Sequence, residues 1–173
     1  MDSAYIVTFI GDDRPGLVEE LSRVIERNGG NWRESRLSQL GGKFAGLVLV
    51  SLPQSNTATL EQELSALAAS GLSVSVNPTA SALAPADNID LRLNVIGPDR
   101  PGIVKEVSRA LAERTINVVE MDSHVAPAAM SAENLFNATI CASVPADTNL
   151  DSLSDSLDEI ANQMTLDIEF ERS

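Results

Sequence analysis

The chain has 173 residues, 43% of them apolar, with a mean hydropathy near zero, which is enough to bury one ordinary core or two small ones. Twelve Lys and Arg stand against 25 Asp and Glu, a net charge of −13, and this opposes broad contact with phosphate backbones, so no direct nucleic-acid binding is expected. One cysteine, Cys141, and one histidine, His124, are too few for an intramolecular disulfide or a Cys/His zinc cage; neither metal nor cofactor is expected. The first eleven residues lack the basic start and apolar centre of a signal peptide, and no run approaches the roughly 18 apolar residues of a membrane span. The expected location is the cytoplasm.

In chain order, Tyr5, Val7 and Phe9 alternate with Ile6 and Thr8, a period-two pattern that predicts a strand. Leu17, Val18, Leu21, Val24 and Ile25 follow at helical spacing, with Pro15 where a first helical turn accepts proline, and the helix ends near Asn28-Gly29-Gly30. Residues 31–40 and 44–52 read as strands, Leu60, Leu64 and Leu67 mark a second helix, and Leu72, Val74 and Val76 close with a strand. Residues 79–88, rich in Ala, Ser and Pro, read as a linker.

The same series then returns. Gly11-Asp12-Asp13-Arg14-Pro15-Gly16-Leu17-Val18 recurs 86 positions later as Gly97-Pro98-Asp99-Arg100-Pro101-Gly102-Ile103-Val104, and Asn31 and Glu34 match Asn117 and Glu120. Leu91, Leu93 and Val95 repeat the first strand, Ile103, Val107 and Leu111 the first helix, residues 117–125 and 135–144 the middle strands, and Leu153, Leu157 and Ile160 the second helix. The predicted order is βαββαβ, twice. That is an α+β, ferredoxin-like arrangement: antiparallel sheets with helices on one face, in a first unit at 1–78 and a second at 89–173. The short linker predicts side-by-side packing, and the uncovered sheet faces and edges leave homo-oligomers open. Residues 126–133 have no counterpart in the first unit and read as a mobile loop.

A strand turning through Gly-x-Asp-Arg-Pro-Gly into a helix offers unpaired N–H groups that suit a carboxylate, with Gly16 and Gly102 allowing close approach and Asp12, Asp13 or Asp99 facing an ammonium. The alternative reading has the Asp residues capping the helix, Arg14 and Arg100 in water, and each glycine relieving crowding. Catalytic readings fail: Leu17-Val18 stand where a phosphate-binding loop needs Lys and Ser or Thr, and the antiparallel order lacks a dinucleotide crevice. His124 reads as a solvated residue on the open sheet face, sharing strand parity with Glu120 and Asp122 and opposite Val119 and Met121. Cys141 reads as a buried or half-buried strand residue, Trp32 as packing, and Asp147, Asp151, Asp155, Asp158 and Glu159 as the solvated face of a helix. The two halves differ in charge, with net −3 over residues 1–86 and −10 over 87–173.

The residues 8–18 and 94–104, with Asn31 and Asn117 opening the following strands, resemble two ACT domains in tandem. A free-standing pair of this length resembles the glycine cleavage system transcriptional repressor family. The resemblance implies a non-enzymatic regulator that binds a small amino acid, glycine or similar, where the loop of one copy meets its neighbour, and acts on gene expression through a DNA-binding partner protein. The site residues it implies are Asp12, Asp13, Arg14, Pro15, Gly16, Leu17 and Asn31 in the first unit. In the second they are Pro98, Asp99, Arg100, Pro101, Gly102, Ile103 and Asn117. ACT domains also regulate metabolic enzymes, so a stand-alone regulatory subunit of such an enzyme is the alternative.

Overall fold

The alternating first strand becomes the centre of its sheet. In the computed structural model, which describes residues 2–79 and 88–172, β1 (Asp2–Asp12) pairs antiparallel with β3 (Lys43–Pro53) on one side and β4 (Ser73–Thr79) on the other. Strand β2 (Asn31–Leu40) lies outside β3, giving the order β2-β3-β1-β4. Helices α1 (Leu17–Arg27) and α2 (Thr57–Ala66), the latter continued by a 3-10 turn at Leu67–Ser70, cover one face. Tyr5, Val7 and Phe9 from β1 and Val48, Val50 and Leu52 from β3 meet Leu17, Leu21, Val24 and Ile25 of α1 and Leu60 and Leu64 of α2. Burying each such side chain contributes about 1.5–3 kcal/mol, so the alternation fixes which face of the sheet the helices take.

The second unit repeats this with β5 (Asn88–Pro98), α3 (Ile103–Ala112), β6 (Asn117–Pro127), β7 (Asn134–Pro145), α4 (Leu150–Met164) and β8 (Asp167–Arg172), in the sheet order β6-β7-β5-β8. Leu91, Leu93 and Val95 now fill the place of Tyr5, Val7 and Phe9, against Val107 and Leu111 of α3 and Leu153 and Leu157 of α4. The chain divides into two compact units between residues 83 and 84. Most of the predicted linker, residues 80–87, lies outside the described residues, and its two ends, Thr79 and Asn88, belong to strands.

Three local features depart from the sequence reading. Pro15 and Pro101 precede the helix-capping glycines, so they stand outside the first turn rather than in it. Each second strand carries a bulge, between Trp32 and Glu34 and between Val118 and Glu120. The second bulge puts Val118 and Met121 on the helix side, three residues apart, and leaves Val119 66% exposed. The inserted segment lengthens the β6–β7 hairpin, closed by Ala128 N–H donating to Glu133 O at 2.9 Å, so that only its tip, with the fully exposed Met130, stands clear.

In the first unit the ends of α1 and α2 are tied by a carboxylate. Glu63 Oε2 accepts from the nearly buried Asn28 Nδ2 at 2.6 Å and from Arg27 Nη2 at 2.8 Å. Asn56 Nδ2 in turn donates to Asn28 O at 2.9 Å. In the second unit Arg114 takes the position of Asn28 and donates to Ser152 O at 2.8 Å. The hydrogen bonds from Asn28 and Arg27 hold the Glu63 carboxyl below the usual glutamate range. Its stabilising contribution is therefore complete above the unfolded value of about 4.3 and is lost as pH falls through the lower native value. In urea unfolding from pH 7 to about 3, the advantage of the wild type over Glu63→Gln should shrink on the acid side of about pH 4.5. An advantage that stays constant over that range contradicts this account.

Candidate functional site

The two helix-start loops are held at the end of the sheet by backbone hydrogen bonds. Asp13 N–H donates to Gly42 O at 2.9 Å, and Asp99 N–H donates to Asn134 O at 2.9 Å, which ties each loop to the β2–β3 or β6–β7 hairpin beside it. Gly16 and Gly102 then turn the chain through φ of +90° and +100° into α1 and α3, a conformation glycine adopts without steric cost. Their carbonyls accept the first helical bonds, from Glu20 N–H at 2.9 Å and Glu106 N–H at 3.0 Å. Among the described residues no side chain caps either helix, so the reading of the aspartates as caps is not realised, and the first-turn N–H groups have no side-chain acceptor there.

Relief of crowding belongs to the other motif glycines. A Cβ on Gly97 would lie 2.7 Å from Thr165 O and from Leu166 Cδ2, and one on Gly11 would lie 2.8 Å from Leu72 Cδ1 and 3.0 Å from Gly71 O. A Cβ on Gly16 would meet nothing within 4 Å, and one on Gly102 only Met164 Cε at 3.8 Å. Outer and inner glycines of the motif thus serve different ends: close approach of the neighbouring strand in one case, backbone conformation in the other.

The charged side chains sort themselves by partner. Asp12 pairs with Lys43, its register neighbour on the adjacent strand β3, and the hydrogen bond from that ammonium holds its carboxyl below the usual range. Arg14 Nη2 reaches Glu20 Oε2 at 2.6 Å, while Arg100 Nη2 donates to Gln163 O at 2.8 Å. Asp13 and Asp99 are exposed, with no side-chain partner among the described residues. Pro15 and Pro101 are exposed and Pro98 half-buried, and Leu17 and Ile103 point into the cores at 3% and 2% exposure. Asn31 and Asn117 do not join the loops of their own units. Asn31 aligns with Ser51 and thence Ala4, eight residues along β1 from Asp12, about 27 Å away at the strand rise. Asn117 sits likewise, opposite Ser143.

The distinction between Asp12 and Asp13 was missed in sequence, because the Gly41-Gly42 turn sets Lys43 opposite Leu40, and only the register of β1 against β3, strands far apart in the chain, brings it to Asp12. Elsewhere, His124 is exposed on the open face with Asp122, Asn94 and Thr139, Cys141 is half-buried there, and Trp32 packs against the first core. The acidic side chains of α4 lie on its exposed face, whereas Asp147 is exposed in the turn before the helix and not on it. Among the described residues no group of three or more His, Cys, Asp or Glu is placed to hold a metal ion.

The glycine assignments are open to test without any ligand. Gly16→Ala should cost about 1–2 kcal/mol in urea unfolding, through left-handed strain alone, and Gly16→Asn distinctly less, because Asn tolerates that region. Gly97→Ala should cost about 1–3 kcal/mol, since a backbone oxygen must give way. An unchanged Gly16→Ala, or Asn no better than Ala, contradicts the conformational role.

Comparison with known proteins places these loops in a family. The ACT domain pattern matches residues 3–77 and again residues 90–171. Glycine cleavage system transcriptional repressors from Escherichia coli (strain K12) and Shigella flexneri are each 22% identical over 160 residues, spanning 92% of this chain and 84% of theirs. A crystal structure of an unknown protein from Galdieria sulphuraria superposes with a TM-score of 0.84 at 29% identity, covering 100% of this chain and 99% of that one. Another, of a protein provisionally named as a glycine cleavage system transcriptional repressor, superposes with a TM-score of 0.74 at 22% identity over 100% and 98% of the two chains. With both halves matched by one pattern and both built on the same four-stranded sheet, the chain belongs to the ACT domain family.

Proposed function

We propose that this protein is a non-enzymatic, amino-acid-responsive regulator, in which each helix-start loop receives a small amino acid such as glycine and occupancy alters contact with a protein partner. The observation that carries the ligand half is the pair of uncapped helix starts, each beside an unpaired aspartate. The ligand carboxylate meets the first-turn N–H groups near Leu17-Val18 or Ile103-Val104, where the helix dipole favours negative charge. Its ammonium meets Asp13 or Asp99. Asp12 has no counterpart in the second unit, where Pro98 stands, but Lys43 already neutralises it; the loops still differ in the first helical turn, with Glu19 in one and Lys105 in the other, and in Arg14, which pairs with Glu20 where Arg100 bonds a carbonyl. Asn31 and Asn117 lie too far along their own sheets to complete the site within a unit.

The partner half rests on the relatives, which are named as transcriptional repressors of the glycine cleavage system. At net −13 the chain is poorly suited to hold a phosphate backbone. Control of transcription would therefore pass through a DNA-binding regulator, in the cytoplasm.

Val18 and Val104 allow binding to be separated from folding. They are 42% and 45% exposed in the first turns, where a carboxylate suits the helix dipole and repels a carboxylate ligand. Val18→Glu and Val104→Glu should keep or raise the melting temperature, while each lowers the affinity of its own loop for glycine, alanine or serine at least fivefold by calorimetry, on the order of 1 kcal/mol. Binding unchanged in the folded double variant moves the site elsewhere, and no heat with any of the three amino acids removes the ligand from the proposal.

A further inference from the structure

The chain contains its own control for what an ACT sheet needs, because the same four strands occur twice. The face away from the helices is largely polar in the second unit: Arg92, Asn137, Thr139 and Cys141 lie there with Ile96, and the edge strand adds Asp167, Glu169 and Glu171. At the matching places the first unit has Ile6, Ala45, Leu47 and Leu49, with Ser73, Ser75 and Asn77 on its edge. Leu47 is 50% exposed, while Ile10 at 50% is matched by Ile96 at 41%, so the difference between the faces lies in Ile6, Leu47 and Leu49. Folding does not call for this apolar surface, since the second sheet forms without it.

We propose that the open face of the first sheet is a homodimer interface, packed against the same face of a second copy. Charge complementarity selects that occupant. Beside the apolar stripe, the β2 positions opposite Leu49 and Leu47 carry one residue of each sign, Glu34 and Arg36, paired at 3.0 Å, with the exposed Arg33 in the bulge beyond them. A two-fold axis lying in the interface, across the strands and between these two rows, sets Glu34 of one copy against Arg36 of the other and Leu49 against Leu47. Sheets packed face to face stand about 10 Å apart, a gap these long side chains span. The acidic face of the second unit cannot replace it, because setting unpaired carboxylates against leucine and isoleucine costs more than the apolar contact returns.

Size sets the strength. Four strands about 4.8 Å apart and seven residues long present a footprint of about 450 Å² per copy, below that of a tight complex. The dimer is reversible, with a dissociation constant in the micromolar range. It needs no amino acid, so it stands or falls apart from the proposed ligand sites.

Sedimentation velocity of the full chain from about 1 to 500 μM tests it. The wild type should show a monomer–dimer equilibrium; Leu47→Asp should raise its dissociation constant at least tenfold, while Thr139→Asp, the matching change in the second unit, leaves it unchanged. Should Leu47→Asp lose its thermal transition, the charges decide: Glu34→Arg should weaken the dimer, and adding Arg36→Glu should restore it. A wild type monomeric at the highest concentration, a dimer indifferent to Leu47→Asp and to the charge reversal, or one equally sensitive to Thr139→Asp overturns the proposal.

Discussion

Val7 and Leu93 have no exposed surface because each sits midway along a strand that pairs on both edges and lies under two helices. β3 and β7 meet the same double demand, but β1 and β5 are the central strands that begin their units and run directly into the helix-start loops. Alternation is the constraint it imposes: one residue out of step would turn the three buried side chains to the open face and leave the helices nothing to cover. The positions of both helix-start loops follow from it, because each loop is the direct continuation of that central strand.

A loop so placed is rigid where it leaves the sheet and exposed where it enters the helix. Hydrogen bonds to the neighbouring hairpin hold Asp13 and Asp99, Gly11 and Gly97 let the adjoining strand come close, and left-handed glycines reorient the chain. What is left outward is the set of first-turn N–H groups and a carboxylate, a small set of opposite polarity. Arg14 and Arg100 serve the scaffold, one through Glu20 and the other through a carbonyl at the end of α4. The basic residues of the motif hold the loop in place, and the acidic one faces solvent.

Much of this was legible in the residues themselves. The period-two and helical patterns, repeated at a constant offset, carry the element order and the helix-covered face, because burial leaves its period in the apolar residues. The bulges were not legible, since an extra residue such as Val119 looks like an ordinary β-former until its partner strand is counted against it. Nor was the role of Gly16, because a glycine needed for positive φ and a glycine needed for space are the same letter. Proximity across or along a sheet also escaped: Lys43 on β3 claims Asp12 on β1, and Asn31 lies a full strand length from the loop it accompanies in sequence.

Duplication left the two units alike in backbone and unlike in surface, with the excess acid gathered in the second half and the exposed leucines in the first. The helix-start loops are the part of the surface where both still agree, and that agreement is what the account reads as function. Backbone amide resonances of the 15N-labelled protein, followed during titration with glycine, test it most directly. The account predicts saturable shifts at Leu17–Glu19, at Ile103–Lys105 and at Asp13 and Asp99; a spectrum unchanged by glycine, alanine and serine, or shifts confined to residues elsewhere, would contradict it.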